Sequence, residues 1–356
     1  GDTIIFVDYA RTWETNKIIL DSNGLNYQGD ADGFNVAYET DGLALHITYM
    51  DSTKGWVPTL DDDVTDVPAK GNANGLFAYG YTSGNLSMSN IVSDQGVVAS
   101  DVDGVGTARS NVKGTQYGDD KAICAYGIAG SVTAVSNKVS NSGVVASDVT
   151  GVGTVRERAA ACSYGTGFDK GIFAFGVSAS GNFGVSNLVS NSGVIATDVS
   201  AVGTARYGPA ACEYGDDKGV FAYGYTTGVV SLKNLISNVG VVASDVTGVG
   251  TARHAMAACS YGNDKGIFGY GNSGSIVSLS NLVNSSGTVA SDVTGVGTAR
   301  FYLAACEYGQ GKGIFGYGEN GGNSSLTNLV STSGVIATDT SGVGTGRAKL
   351  AGCSFA

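Results

Sequence analysis

Six arginine residues recur along the chain at steps of 47 to 50 residues, and an aspartate precedes each of them by eight residues. A ring of guanidinium groups could bind a carboxylate or a sulfated sugar. The pattern also suits a structural role, because the planar guanidinium pairs with a carboxylate in a bidentate geometry. We interpret each pair as a brace for the turn between outer and inner strands. The pairs are Asp101 and Arg109, Asp148 and Arg156, Asp198 and Arg206, Asp245 and Arg253, Asp292 and Arg300, and Asp339 and Arg347.

A second set of candidate residues lies where the repeated units differ from one another. In an antiparallel unit of four strands, successive loops alternate between the two ends of the strands. The turns at one end, such as residues 214–218 and 190–193, are nearly constant among units. The loops at the other end vary, which fits either a recognition surface on a rigid scaffold or neutral drift on an exposed rim. The candidate ligand-binding residues there are Tyr81, Glu157, Arg158, Tyr207, Tyr225, His254, Asn272, Phe301, Tyr302 and Asn320.

The other reactive side chains do not form a catalytic or metal-binding pattern. Five of the six cysteines keep the step of the repeat, and Thr115 occupies the corresponding sixth position. No Cys-x-x-Cys spacing occurs, so a repeated core position explains the cysteines better than a disulfide staple or a metal ring. His46 and His254 have no Ser-His-Asp or paired-carboxylate partners in the sequence. We predict no enzyme activity, no metal, no cofactor and free thiols at Cys162, Cys212, Cys259, Cys306 and Cys353.

The composition favours a folded chain with many tight turns. Hydrophobic residues make up 42% of the 356 residues, and the chain contains 56 Gly but only 3 Pro. A net charge of −11 argues against nucleic-acid binding, which needs a basic patch. No run approaches the roughly 20 apolar residues of a membrane span. Residue 1 is Gly and no charged-then-apolar leader follows it, so we expect a processed chain or a piece of a longer one.

Each repeated unit divides into four short β patterns separated by Gly-rich or Asn-rich turns. In one unit these are residues 209–215, 219–224, 230–236 and 240–245, and no helical period interrupts them. Four strands per roughly 47 residues is typical of a propeller blade. The array begins at residue 75 with a second strand and ends with a first strand, so the C-terminal strand would complete the first blade. The sequence therefore predicts an all-β fold in which residues 75–356 form six blades closed by that strand.

The repeats also resemble the kelch family. The segment Leu303-Ala304-Ala305-Cys306 follows Thr-Ala-Arg, and a Gly-rich turn leads to Gly313-Ile314-Phe315-Gly316-Tyr317-Gly318. This second segment occupies the place of the kelch hydrophobic run and its glycine doublet. Only one Gly follows the aromatic residue in most units, and the tryptophan of the outer kelch strand is absent. The resemblance implies a divergent, kelch-like β-propeller over about 280 residues.

The first 60 residues follow a different pattern of short strands, and a polar linker is predicted at residues 61–74. Residues 3–7, 25–27, 34–38 and 43–49 are predicted strands, separated by Asn-Gly and Asp-Gly turns. The segments Val7-Asp8, Thr15-Asn16-Lys17-Ile18, Asn23-Gly24, Gln28-Gly29 and Ser52-Thr53-Lys54-Gly55-Trp56 resemble a module of bacteriophage tail-fibre and related virion proteins. That resemblance implies an attachment module in a homotrimeric fibre, without chemistry of its own.

These patterns together predict a virion fibre protein, extracellular on the particle, whose propeller displays a recognition face. The expected partners are other virion proteins and a glycan or protein of the host surface, with no nucleic acid and no membrane insertion. A glycan-processing enzyme built on a propeller is an alternative; a cluster of inward-facing carboxylates at one end would distinguish it, and the repeats show none. Structural decoration of the particle and an intracellular kelch adaptor are further alternatives.

Overall fold

The structure is a computed structural model that describes residues 1–30, 36–60 and 73–355. The chain divides into two compact units, Gly1–Lys70 and Gly71–Ala356. The described residues form β-strands and one short 3-10 helix at Thr166–Phe168, with no α-helix. None of them belongs to a helix long and apolar enough to cross a membrane. The fold is therefore all-β, as the sequence predicts.

The N-terminal unit contains a sheet of three strands and a hairpin of two. The strands are β1 Thr3–Val7, β2 Ile18–Leu20, β3 Val36–Tyr38, β4 Ala44–Tyr49 and β5 Trp56–Leu60. The sheet has the order β1-β4-β5, and β2 pairs with β3, all antiparallel. Leu45 and Ile47 supply buried side chains of the sheet, and the hydroxyl groups of Tyr27 and Tyr38 are 2.6 Å apart in the same core.

Two of the sequence predictions for this unit need correction. Residues 25–27 do not form a regular strand, because Tyr27 makes only isolated bridges to Asp30 and Trp56. The strands Ile18–Leu20 and Trp56–Leu60 are not among the predicted strands of this unit. The first part of the predicted strand at 34–38 and most of the predicted linker at 61–74 lie outside the described residues.

The second unit contains six antiparallel sheets of three strands each. Their orders are β27-β6-β7, β8-β9-β12, β13-β14-β17, β18-β19-β20, β21-β22-β23 and β24-β25-β26, with small hairpins β10-β11 and β15-β16 beside the second and third. The strands are β6 Asn74–Tyr81, β7 Asn85–Val92, β8 Lys113–Tyr117, β9 Lys121–Ala125, β10 Ile128–Ala129, β11 Ser131–Val132, β12 Ser136–Val139, β13 Ala160–Tyr164, β14 Lys170–Ala174, β15 Val177–Ser178, β16 Gly181–Asn182, β17 Ser186–Val189, β18 Ala210–Tyr214, β19 Lys218–Ala222, β20 Lys233–Ile236, β21 Ala257–Tyr261, β22 Lys265–Gly269, β23 Ser280–Val283, β24 Ala304–Tyr308, β25 Lys312–Gly316, β26 Thr327–Val330 and β27 Ala351–Phe355.

The first strands of the six sheets contact one another in a cyclic order. The order runs β8, β13, β18, β21, β24, β27 and back to β8. The C-terminal strand β27 pairs antiparallel with β6, so that Cys353 lies opposite Leu76 in the first sheet. This is the pairing predicted from the two ends of the array. The six first strands together line a narrow central cavity.

The fourth segment of each unit is not the regular strand that the sequence predicts. In the second sheet it is held to β12 by two isolated bridges, Val139 with Val145 and Ser136 with Val149. The outer segment has one more residue between the bridges than β12 has, which is a β-bulge and breaks the ladder. Between them the side chain of Asn137 donates to the carbonyl of Ala146 at 2.9 Å and replaces a backbone bond. The same two bridges recur in all six units.

Candidate recognition surface

The six repeated arginines join each sheet to the next one. Arg206 Nε donates to the carbonyl of Tyr223 at 2.8 Å, and its Nη2 donates to Asn234 Oδ1 at 2.6 Å. Its guanidinium carbon lies 3.9 Å from the ring centre of Phe175, which belongs to the preceding sheet. Asn234 and the stacked aromatic ring have equivalents in all six units. Every one of these arginines is 0% exposed. They are Arg109, Arg156, Arg206, Arg253, Arg300 and Arg347.

The aspartates pair with arginines between units, and the predicted pairing at a distance of eight residues is wrong. Asp245 Oδ1 lies 3.6 Å from Nη1 of Arg206, the arginine of the preceding unit, while Arg253 pairs with Asp292 at 3.8 Å. The side chain of each arginine points away from the fourth segment of its own unit, because it crosses to the sheet of the next unit. The same cross-unit ion pair forms for Asp148, Asp339 and Asp101, whose partners are Arg109, Arg300 and Arg347.

Each aspartate is also the acceptor for a threonine of the preceding unit. Asp245 Oδ2 accepts hydrogen bonds from the hydroxyl and the amide of Thr204, at 2.6 and 2.8 Å. Burial opposes ionisation, but the hydrogen bonds from Thr204 and Asn234 and the charge of Arg206 hold the pKa of Asp245 below its usual value. The carboxylate is therefore ionised and paired at neutral pH, which suits the brace and leaves no free charge for a ligand.

A ring of arginines that binds an outside anion is excluded by this burial. Removal from water lowers the pKa of Arg206 to about 10, so it remains charged at neutral pH. Its charge is met by two backbone carbonyls, an amide oxygen, a carboxylate and an aromatic face. The structural interpretation of the repeated arginines and aspartates therefore accounts for every one of their contacts.

All six cysteines are free, buried thiols, and four of them pack against a glycine in the second strand of the neighbouring sheet. A Cβ atom on Gly266 would come within 2.3 Å of Cys212 Sγ, so the sulfur occupies the space that the missing side chain leaves. Thr115 packs in the same way against Gly171, which confirms the predicted packing role of that position. The equivalent pairs are Cys162 with Gly219, Cys259 with Gly313 and Cys306 with Gly75.

We expect Gly266→Ala to lower the free energy of unfolding by about 2–3 kcal/mol, because the added methyl group overlaps Cys212 Sγ. The substitution Cys212→Ala alone is expected to cost about 1 kcal/mol. The double variant should be more stable than Gly266→Ala alone, with a coupling energy of at least about 1 kcal/mol in urea unfolding. Additive losses would show that the two residues do not compete for one space.

The varied residues lie together at one end of the second unit. The residue after each arginine forms an isolated bridge to the residue after the aromatic-glycine pair near the end of the second strand, as Tyr207 does with Tyr225 and His254 with Asn272. Phe301 forms the corresponding bridge with Glu319. At the opposite end, a Cβ on Gly215 in the turn after β18 would come within 2.7 Å of the carbonyl of Ser285, in the turn after β23. The varied loops and the constant turns therefore lie at different ends of the strands, as the alternation of loops predicts.

A series of backbone hydrogen bonds surrounds the central cavity at the varied end. The residue two positions after each arginine has a positive φ, and its amide donates to the carbonyl of the corresponding residue in the preceding unit. Five such bonds of 2.7–3.0 Å join Gly208 to Arg158, Ala255 to Gly208, Tyr302 to Ala255, Lys349 to Tyr302, and Asn111 to Lys349. Six backbone positions, one from each unit, thereby surround one opening, and five of them carry a side chain.

Aromatic and cationic side chains alternate across this end of the molecule. Lys349 Nζ lies 5.0 Å from the ring centre of Tyr81 and 5.3 Å from that of Tyr302. The guanidinium carbon of Arg158 lies 5.6 Å from the same Tyr302 ring and 5.4 Å from that of Tyr207. We call this continuous set the recognition arc: Tyr81, Lys349, Tyr302, Arg158, Tyr207, Tyr225 and His254.

The far end of the recognition arc is an aromatic cluster. The Tyr207 and Tyr225 rings are 5.2 Å apart, and both meet the imidazole of His254 edge to face at 6.0 and 5.3 Å. Burial and the charge of Arg158 lower the pKa of His254 below its usual value, so it is neutral at pH 7. Its Nδ1 is buried and has no hydrogen-bond partner among the described residues.

The remaining candidate residues lie beside the arc or away from it. Phe301 contacts Tyr302 with ring centres 4.7 Å apart, and Glu157 accepts a hydrogen bond from Asn111 Nδ2 at 2.6 Å. Asn272 turns its side chain back to the amide of Gly274 at 2.8 Å. Asn320 lies in an exposed turn that its own amide closes on Gly322.

Sequence reasoning missed three residues of this surface. Lys349 and Asn111 occupy the same repeat position as Arg158 and Tyr302, two residues after an arginine, and Lys113 follows two residues later. Comparison of that position across all six units would have found the first two. Lys349 precedes the closing strand β27, which begins at Ala351, and therefore belongs to the varied end.

The opposite end of the central cavity carries two inward-facing carboxylates, Glu213 and Glu307, so the expectation that the repeats contain none is wrong. Glu213 Oε1 accepts from the hydroxyl of Ser163 at 2.7 Å, and its Oε2 accepts from the hydroxyl of Ser260 at 2.5 Å. Glu307 accepts from the amide of Gly311 at 2.9 Å. Around this end of the cavity, Ser163, Ser260 and Ser354 alternate with Gln116, Glu213 and Glu307 from one first strand to the next. The hydrogen bonds of Glu213 tie three neighbouring first strands together, whereas that of Glu307 closes the turn after its own strand.

Among the described residues, no group of three or more His, Cys, Asp and Glu side chains is arranged to hold a metal ion. The chain matches no model of a known protein family. It also matches no curated protein.

Proposed function

We propose that the second unit is a six-bladed, kelch-like β-propeller that acts as the recognition head of a virion fibre. Three features support the propeller: six three-stranded sheets, the cyclic contact order of their first strands, and the pairing of β27 with β6. In this proposal the N-terminal unit attaches the head to other virion proteins as a homotrimer. The head faces outward and binds a glycan or protein of the host surface.

The recognition arc is the observation that carries this proposal. The repeated residues are buried and serve the scaffold, whereas the residues that differ among units form one continuous surface of aromatic and cationic groups. Tyrosine and arginine are the residues that most often carry binding energy in interfaces, because a large ring or a planar cation gives much contact at little entropic cost. Drift on an exposed rim would not be expected to bring seven such residues into mutual contact.

The proposal is tested by removing three tyrosine rings of the arc at once. The triple variant Tyr207→Ala, Tyr225→Ala, Tyr302→Ala should lower adhesion to host cells or glycan arrays at least ~100-fold, because each hot spot is worth about 2 kcal/mol or more. Alanine is compatible with the backbone at position 302, since Ala255 occupies the equivalent position with a φ of 53°. An unchanged melting temperature would show that the scaffold is intact.

The matched control changes Asp217 and Lys218 to alanine at the opposite end, where they form a partly exposed ion pair. This variant should adhere like the unmodified protein. Equal loss in both variants, or no adhesion of the unmodified protein to any surface, would exclude a recognition function for the arc.

A further inference from the structure

Three residues of the recognition arc, Arg158, Tyr302 and Lys349, line a small cavity at the varied end of the second unit, which we call the central mouth. Asn111, Arg158, Tyr302 and Lys349 form its rim, and Lys113 and Met256 lie among the residues beneath them. The cavity measures about 20 Å³. A cavity of roughly 10–15 Å³ on this measure holds one water molecule, so the mouth accepts a small polar group and not a whole sugar ring.

Three cations line the central mouth, and no carboxylate lines it. The ammonium group of Lys113 forms no hydrogen bond or ion pair among the described residues, and burial lowers its pKa to about 8. Arg158 Nε is buried without a hydrogen-bond acceptor. The nearest described carboxylate oxygen to that nitrogen, Glu157 Oε1, is 3.9 Å away. In a chain with a net charge of −11, this concentration of positive charge is local to the mouth.

Lys113, Arg158 and Lys349 are each half-buried, and partly buried cations that lie close together are stabilised when an anion joins them. Glu157 offsets only part of this charge, because its Oε1 lies 3.9 Å from Arg158 Nε, beyond hydrogen-bond distance, and its Oε2 accepts from Asn111 Nδ2 at 2.6 Å. Lys349 forms no ion pair within the described part of the chain, and its ammonium group lies between the rings of Tyr81 and Tyr302. The mouth therefore has donors and positive charge that this chain itself does not satisfy.

We propose that the central mouth binds the carboxylate of an acidic sugar. Arg158 and Lys349 would receive the carboxylate at the rim with Lys113 beneath it, and the rings of Tyr302 and Tyr207 would contact the sugar ring. The small cavity suits the two oxygens of a carboxylate better than the three free oxygens of a sulfate ester. This inference rests on the proposed recognition function and names the ligand class for the same surface.

The test compares two ligands that differ only in the carboxylate, methyl glucuronide and methyl glucoside, by saturation-transfer NMR and calorimetry on the full chain. The glucuronide should bind at least 10-fold more tightly than the glucoside. Lys349→Gln and Arg158→Gln should each reduce this preference 10-fold or more, and Lys113→Met should reduce it as well. Lys218→Gln, at the opposite end, should leave it unchanged, and circular dichroism with the melting temperature should show that all four variants fold.

Equal binding of both sugars, binding of neither, or a preference that survives Lys349→Gln and Arg158→Gln would overturn the proposal. Tighter binding of a matched sulfated glucoside than of the glucuronide would also overturn it. The same experiments distinguish failure of the recognition function from failure of the acidic-sugar proposal. Adhesion that disappears in the triple tyrosine variant, without any carboxylate preference, supports recognition and rejects the acidic ligand. A carboxylate preference without adhesion to any host surface supports the site and rejects adhesion.

Discussion

A chain that ends at Lys349 is expected not to form the stable second unit. Such a chain lacks β27, the strand that supplies the buried side chains Cys353 and Phe355 and pairs with β6 along five residues. The loss should exceed about 5 kcal/mol, because several buried side chains and a row of backbone hydrogen bonds disappear together. That is comparable with the whole stability of an ordinary domain.

The measurement is the yield of soluble monomer and its thermal unfolding. We expect aggregation, because removal of β27 exposes the edge of β6 and the face of β24 against which β27 packs. A synthetic peptide of residues 350–355 added during refolding should restore soluble protein, whereas a peptide of the same composition in scrambled order should not. A truncated chain with an unchanged melting temperature would show that β27 does not close the array.

Replacement of Arg206 by alanine is expected to cost about 3–5 kcal/mol of stability, since it leaves buried acceptors without a donor. The carbonyl of Tyr223 and the side chain of Asn234 lose their partner, and the stack on Phe175 is lost. Lysine at this position keeps the positive charge but lacks the several fixed N–H donors and the planar shape of the guanidinium group. Arg206→Lys should therefore restore less than half of the stability that Arg206→Ala loses.

Urea unfolding of the isolated second unit measures this cost. The matched control is Lys218→Ala, an exposed cation whose ion pair with Asp217 should be worth less than about 1 kcal/mol. A cost of about 1 kcal/mol or less for Arg206→Ala would contradict the role of the arginine as the connection between sheets. The same substitution should leave sugar binding unchanged, because Arg206 is fully buried and lies outside the recognition arc.

The glycine at the end of each second strand shows how local conformation and the arginine connection depend on one another. The aromatic residue before it has a positive φ in all six units, such as 66° for Tyr223, which is unfavourable for a bulky side chain. The following residue Gly224 has a φ of 117°, which only glycine adopts easily. This turn places the carbonyl of Tyr223 against Arg206 Nε and its ring beneath the guanidinium of Arg253. The strained backbone is stabilised by the contacts that it creates.

The number of units, the order of their strands and the ends at which the loops vary could be predicted from the sequence alone. These properties follow from the repeat period and from the alternation of neighbouring antiparallel strands, both of which can be counted along the chain. The role of Cys212 as a small core residue could be predicted for the same reason, because a residue that keeps the period keeps its environment.

Only the tertiary structure decided which units contact one another through their side chains. Asp245 lies closer in sequence to Arg253, yet it binds Arg206, because each arginine leaves its own sheet and crosses to the next. Lys349 and Arg158 come from distant units but meet the ring of Tyr302, because the cyclic order of the first strands brings residues of different units around one opening. A period along the sequence states which positions are equivalent. It does not state the direction in which a side chain leaves its sheet, and that direction created both the buried arginine connections and the central mouth.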